Sequence, residues 1–241
     1  MKIHVLCILM IVIFCALWCH ETDAVNVQCL ENYGSIPLAF TLNQGRLNST
    51  VKYSTHGKGC TIYFCPTETT FLLSLETEQS IEKRKTKQSA VYQRNPLREK
   101  KSEKTLEQYA LKLRFINANT STDIIGEDLL SWNNNFIGNV PNKCFTDVPN
   151  YKKIRLRDVY DGIDLVYYGN MRWIKYDFIV DPGVDPSQIL LSYDAGDSEK
   201  SVLSVNDTGE LVVSTPLGDI IERKPFCYQI IVGKKVEIDI H

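Results

Sequence analysis

With 241 residues, 44% of them hydrophobic and 23% charged, the chain is long enough to bury a core as one large β domain or two small ones. Its 27 Lys and Arg stand against 29 Asp and Glu, a formal charge of −2. No field of a single sign is present to draw in nucleic acid or an anionic lipid surface.

Residues 1–24 read as a signal peptide. Lys2 supplies a short positive start, Val5 to Leu17 is an unbroken apolar run of 13 residues, and Thr22-Asp23-Ala24 offers a small residue for cleavage. The run is short for a membrane span, and no later stretch is long and apolar enough for one. Trp18 precedes Cys19, where a lipoprotein wants a small residue. The expectation is a secreted, extracellular chain with no membrane contact once the signal is cleaved. An uncleaved N-terminal anchor is the alternative.

Past an irregular lead-in from Val25 to Pro37, residues 25–75 form an N-terminal β segment. Gly45, Gly57-Lys58-Gly59 and Cys65-Pro66 punctuate short stretches rich in Val, Tyr, Phe and Thr. Thr61–Phe64 and Thr70–Leu75 are the clearest strands. Residues 76–107 lose this apolar content and carry nine Lys or Arg against six Asp or Glu. Such a stretch buries too little surface to offset its ordering entropy, so a charged flexible loop is expected, with a transient helix near Lys100 to Gln108. A proteolytic switch or a basic docking arm is the functional alternative for it.

Residues 108–241 read as the main β domain, one composite module with the first segment. Leu111, Leu113 and Phe115 alternate with Lys112 and Arg114, and Ile154 and Leu156 alternate with Arg155 and Arg157. Ile163 to Tyr168 is almost continuously apolar, as in a strand buried on both faces. Gly169-Asn170 then marks a turn, and Ile174, Tyr176, Phe178 and Val180 alternate with Lys175 and Asp177, which predicts a hairpin. Strands are expected at 189–193, 202–205, 210–215, 219–223, 226–232 and 235–240. The spacing predicts an all-β fold of antiparallel, sandwich-like or meandering sheets.

Several stretches resemble the N-terminal domain, of unknown function, found in large secreted bacterial proteins that carry seven-bladed β-propeller (SBBP) repeats. They are Asn135-Phe-Ile-Gly-Asn139, Thr146-Asp-Val-Pro-Asn-Tyr151, Arg157-Asp-Val-Tyr-Asp-Gly-Ile-Asp-Leu-Val-Tyr-Tyr-Gly-Asn170 and Lys175-Tyr-Asp-Phe-Ile-Val-Asp-Pro-Gly-Val-Asp-Pro186. Gly209-Glu-Leu211, Thr215-Pro-Leu-Gly218, Lys224, Pro225, Tyr228 and Gln229 extend the likeness, and Phe40-Thr-Leu-Asn-Gln-Gly45 fits its opening. The resemblance implies a β-rich module and supplies no catalytic residue. The sequence departs from it in its five cysteines after the signal, in its long charged insert, and in ending at His241 with no repeats.

Two constellations are candidates for chemistry. Asp158, Asp161, Asp164, Asp177, Asp181 and Asp185 could be turn and surface charges beside Arg155, Arg157, Arg172 and Lys175, a calcium site, or the paired carboxylates of a hydrolase. Tyr160, Tyr167, Tyr168, Trp173, Tyr176 and Phe178 crowd one region and could be core, or could leave Tyr168 and Trp173 as a glycan platform. No Gly-x-Ser-x-Gly, phosphate-cradling glycine loop or histidine-based triad is present. Cys29, Cys60, Cys65, Cys144 and Cys227 follow the signal. Export would favour disulfides, for which Cys60, Cys65, Cys144 and Cys227 are the candidates. Bridging Cys60 to Cys65 would need a bulge or turn between them. Zinc has no Cys-x-x-Cys to hold it. Asn48, Asn119 and Asn206 lie in glycosylation sequons. The expectation is a secreted, non-catalytic module without cofactor that meets an unknown protein or glycan. A carbohydrate-binding module and an acidic-cluster hydrolase are the other readings.

Overall fold

The computed structural model describes residues 5–14, 38–57, 59–78, 104–136, 144–170, 173–195, 202–232 and 234–238. Strands and tight turns account for nearly all of them. β1 (Val5–Phe14), β2 (Phe40–Leu42), β3 (Tyr53–Gly57), β4 (Cys60–Phe64), β5 (Glu68–Glu78) and β6 (Lys104–Phe115) come first. β7 (Asp123–Phe136), β8 (Cys144–Tyr160), β9 (Ile163–Asn170) and β10 (Trp173–Val180) follow. One 3-10 turn, Pro186–Gln188, leads to β11 (Leu191–Asp194), β12 (Val202–Val205), β13 (Leu211–Thr215), β14 (Gly218–Glu222), β15 (Phe226–Ile231) and β16 (Lys234–Ile238). Among the described residues no helix is long and apolar enough to cross a membrane.

The described strands make one antiparallel sheet in the order β11-β6-β5-β4-β3-β2-β8-β9-β10-β1-β14-β13-β12, with β7 on β8 and the β15–β16 hairpin on β1. Two contacts show that this sheet curls. Thr69 on β5 and Tyr167 on β9 share a hydrogen bond of 2.9 Å although five strand positions separate them, about 24 Å if the sheet were flat. Tyr193 on β11 donates to Glu222 on β14, ten positions away. The sheet therefore wraps round a single core, whose opposed walls play the part of the two layers expected of a sandwich.

Period-two alternation decides which side chains enter that core. Leu111, Leu113 and Phe115 are buried while Arg114 is exposed, and Ile154 and Leu156 are buried beside half-buried Arg155. On β9 and β10 the register pairs Leu165 with Phe178, Tyr167 with Tyr176 and Ile163 with Val180, all buried on the inner face. The ring contacts Phe40–Phe64 (5.4 Å), Phe64–Tyr167 (4.9 Å), Tyr167–Tyr176 (5.5 Å) and Tyr176–Phe178 (5.9 Å) thread β2, β4, β9 and β10 together. Tilted and edge-on pairs of this kind add to simple burial.

Three expectations change. The charged stretch is shorter than its composition implies, because β5 and β6 pair as far as Glu78 and Lys104. Lys104–Gln108 is strand, not helix: pairing along a hairpin that is already formed overrides weak local helix preference. Residues 79–103 of that stretch lie outside the described residues, as does the whole lead-in from Val25 to Pro37. Gly169 and Asn170 belong to β9, opposite Ile174 and Trp173, so the β9–β10 connection falls at 171–172. Glycine is required there for another reason: a Cβ on Gly169 would sit 2.1 Å from the Trp173 carbonyl oxygen. Gly169→Ala is expected to cost roughly 3 kcal/mol, since backbone cannot yield as a side chain would. Urea denaturation measures it.

Val5–Phe14 is a strand between β10 on one side and β14 and β15 on the other.

Candidate functional site

The residues opposite the core form a second surface. On β9 and β10 the outward positions pair Tyr168 with Lys175 and Asn170 with Trp173, with Asp177 beside Val166. Tyr168 and Trp173 are half-buried on this face, whereas Tyr160, Tyr167, Tyr176 and Phe178 are in the core. The aromatic cluster thus divides by strand parity. Four rings are structural, and the two offered as a platform do share the outer face.

Residues from further along the chain join them. Arg223, which follows β14, lies over the Trp173 ring at 5.7 Å. Phe226 and Tyr228 on β15 are 5.9 Å apart, and Lys235 on β16 stands 3.7 Å from the Tyr228 centroid and 4.8 Å from that of Phe226. These cation–π contacts hold the hairpin's basic side chain against its rings. Asp177, only 7% exposed, accepts a 3.1 Å hydrogen bond from the Tyr168 hydroxyl. Burial pushes its carboxyl up to about 6, against the opposing pull of that hydrogen bond and of the Lys175 and Lys235 charges. The Tyr168 hydroxyl is also raised, first by burial and then by the Asp177 charge. Sequence reasoning did not find Arg223, Phe226, Tyr228 and Lys235, because some 50 residues separate them from Trp173. The alternation of Phe226 and Tyr228 was the available signal.

A buried carboxylate lies on the core side of the same strands. Glu222 is 2% exposed and accepts from the hydroxyls of Tyr176, at 2.9 Å, and Tyr193. Burial raises its carboxyl, and the two hydroxyl donors oppose that rise. Glu222 is in phase with buried Ile220, and that phase was the only sequence hint that it points inward.

The acidic residues do not converge. Asp164 pairs with Arg155 at 3.2 Å, and Glu127 holds the same guanidinium from β7. Asp164 also accepts from the Asp158 backbone at 2.9 Å. Asp161 receives the Asn119 amide at 3.2 Å, and Asp185 caps the 3-10 turn by accepting from the Ser187 backbone and hydroxyl. The Asp181 backbone closes a turn on Gly162 and Val184. Among the described residues, no three His, Cys, Asp or Glu side chains gather as a metal ion would need.

Of the disulfide candidates, Cys60, Cys144 and Cys227 lie on separate strands and Cys65 follows β4, and the residue opposite Cys227 in register is Cys7 of β1. β4 runs without a bulge against β3 and β5, so Cys60 and Cys65 are about 16 Å apart, well beyond disulfide reach. Cys65 is buried, and burial raises its thiol above the usual range. Cys227 is buried on β15, and Cys144 opens β8 opposite Phe136. Of the sequons, Asn48 and Asn206 lie in exposed turns closed by Thr50 and Thr208. Asn119 instead spends its side-chain amide on the Asp158 carbonyl at 2.7 Å, supporting the β8–β9 turn. Asn119→Ala is therefore expected to cost about 1–2 kcal/mol, and Asn48→Ala less than about 1 kcal/mol, in parallel denaturant titrations.

Apolar side chains remain unburied at one end of the sheet. Val202, Leu203 and Val205 on β12 are exposed, Val205 at 69%, as are Ile230, Ile231, Val232 and Val236 around the β15–β16 hairpin, Val232 at 92%. Trp132 on β7 is 58% exposed and was not singled out in the sequence.

No curated protein and no solved structure matches this chain. A family described only as a domain of unknown function, DUF7948, matches residues 40–241, from the first residue of β2 onward, and the chain belongs to that family.

Proposed function

We propose that the chain is an exported, non-catalytic interaction module that meets its partner through the outer face of β9, β10, β15 and β16. The observation that carries this reading is the concentration of unburied aromatic and apolar side chains at that end of the sheet. Half-buried Trp173, Tyr168, Phe226 and Tyr228 lie on the face, exposed Ile230 continues it along β15, and Val232 stands at the tip of the β15–β16 hairpin. Monomers that stay solitary seldom leave so much contiguous apolar surface in water. The leader-like N-terminus and the likeness to domains of exported repeat proteins support export. The carboxylates support a binding role over hydrolysis, since they are engaged in turns, with Arg155 and with tyrosine hydroxyls.

The test uses the secreted protein after its N-terminus has been established by mass spectrometry. Wild type and a Trp173→Ala/Tyr228→Ala variant are compared as baits against the extracellular fraction of the native host. The expected result is a partner retained by wild type and lost by at least about tenfold in the variant, with melting temperatures within a few degrees of each other. Equal retention would remove this face from the interaction.

A glycan partner is the second reading, favoured by Tyr168 and Trp173 sharing one half-exposed face with Asp177, Lys175 and Arg223. Rings flanked by polar groups suit the stacking and hydrogen bonding of a sugar. It predicts a glycan-array signal that Trp173→Ala abolishes.

A further inference from the structure

The placement of β1 has consequences for the mature chain. Its Val5–Ile11 backbone runs antiparallel along β10, from Val5 opposite Val180 to Ile11 opposite Ile174. Its other edge is shared by β15, at Leu6 to Ile8, and by β14, at Ile11 to Phe14. β10 is held on its far side by β9, β14 by β13 and β15 by β16. Removing residues 1–24 would therefore leave two strand edges facing each other about 10 Å apart, the width of one missing strand. Each edge would carry unpaired N–H and C=O groups.

Side-chain contacts hold the two walls together without β1. Tyr176 on β10 donates to Glu222 on β14, and Arg223 covers Trp173. The floor of the slot is apolar: Ile174, Tyr176, Phe178, Val180, Ile220 and Cys227 are all buried on the core side. Its outer rim carries Trp173 and Asp177 on one wall and Phe226 and Tyr228 on the other.

We propose that the mature chain is a strand acceptor: the slot between β10 and β14/β15 binds an extended apolar strand of a partner chain, laid antiparallel to β10 in the place that Val5–Phe14 takes here. This rests on the export reading above and names the partner chemistry for the same end of the sheet. The occupant is defined by what fills the slot in this structure. It spans about ten residues, has no proline and no charge, and is apolar at successive positions, as a strand with sheet on both sides must be. Backbone hydrogen bonds along both edges supply affinity, and the alternate side chains supply selectivity. Asp177, Arg223 and Lys235 on the rim disfavour a partner with charges at its outward central positions that repeat theirs.

The experiment uses the exported full chain, purified after processing, with its N-terminus read by mass spectrometry. The probe is a fluorescent peptide of the Val5–Phe14 sequence flanked by lysines for solubility. The control is the same peptide with Ile8→Pro, because Ile8 faces Asp177 on one side and Phe226 on the other. The expected result is a product lacking residues 1–24 that binds the probe saturably and the proline peptide at least about tenfold more weakly. Binding also slows amide exchange in Trp173–Val180 and Phe226–Tyr228. A processed product that binds neither peptide, or both equally, overturns the acceptor proposal and leaves the export reading standing. A chain recovered only from inside the cell, still beginning at Met1 and with exchange in β10 already slow, overturns both, because the strand is then a permanent part of the sheet.

Discussion

Tyr176→Ala is expected to cost about 5 kcal/mol, enough to unfold a domain of ordinary stability at room temperature. The ring is fully buried between Tyr167 and Phe178, and its removal leaves a large cavity, worth about 3–5 kcal/mol. Its hydroxyl is also one of two donors to buried Glu222, so the truncation strips a hydrogen bond from a carboxylate that water does not reach. Tyr176→Phe separates the two effects. It keeps the ring and removes the donor, at about 2 kcal/mol when Glu222 is ionised. The lost bond favoured the charged form, so the Glu222 carboxyl rises further in the variant. The cost is then greatest at high pH and shrinks as acid protonates Glu222. Urea titrations of both variants across pH 5 to 8 provide the measurement. A flat pH profile for Tyr176→Phe would show that Glu222 is not held as the geometry indicates.

The second large effect runs toward greater stability. Asp177→Asn is expected to stabilise the chain at pH 7 by about 3 kcal/mol with β1 in its slot, and to have little effect at pH 4. The carboxyl titrates near 6 when folded, against an ordinary value of 3.8. Between those values the folded state holds a proton that the unfolded state has released, so unfolding becomes easier as pH rises through the window. The shift of roughly two pH units sets the magnitude at about 1.4 kcal/mol each. Asparagine keeps an acceptor for the Tyr168 hydroxyl and removes the buried charge. With the slot empty, water reaches Asp177 and most of the gain disappears. The same substitution, followed by thermal melts at pH 4 and pH 7, therefore reports whether a strand lies beside β10.

Much of the architecture was legible in the residues themselves. The alternation of Leu111, Leu113 and Phe115, of Ile154 and Leu156, and of Ile174, Tyr176, Phe178 and Val180 assigns each side chain to core or surface. The physical reason is local: successive side chains on an extended backbone point to opposite faces whatever the partner strand is. The hairpin that joins β9 and β10, the turns at Asp161-Gly162 and after Asn206, and the all-β class follow from the same rule and from turn chemistry. Parity also separates Tyr168 and Trp173 from the buried rings, although the sequence alone could not say which face would be solvated.

Pairing and curvature were decided only in three dimensions. Nothing near Lys104 announces that its backbone will pair with Glu78, and its charged composition reads as a loop with a transient helix until β5 supplies an edge. Nothing near Glu222 announces the hydroxyls of Tyr176 and Tyr193, which come from strands 46 and 29 residues away in sequence. Arg223 over Trp173 and Lys235 over Tyr228 exist because the sheet curls and the β15–β16 hairpin folds back. The apolar run Val5–Phe14 is the sharpest case. Continuous hydrophobicity suits a translocation signal and a doubly buried strand equally well, because both environments exclude water. Only the presence of two facing strand edges makes it part of a sheet.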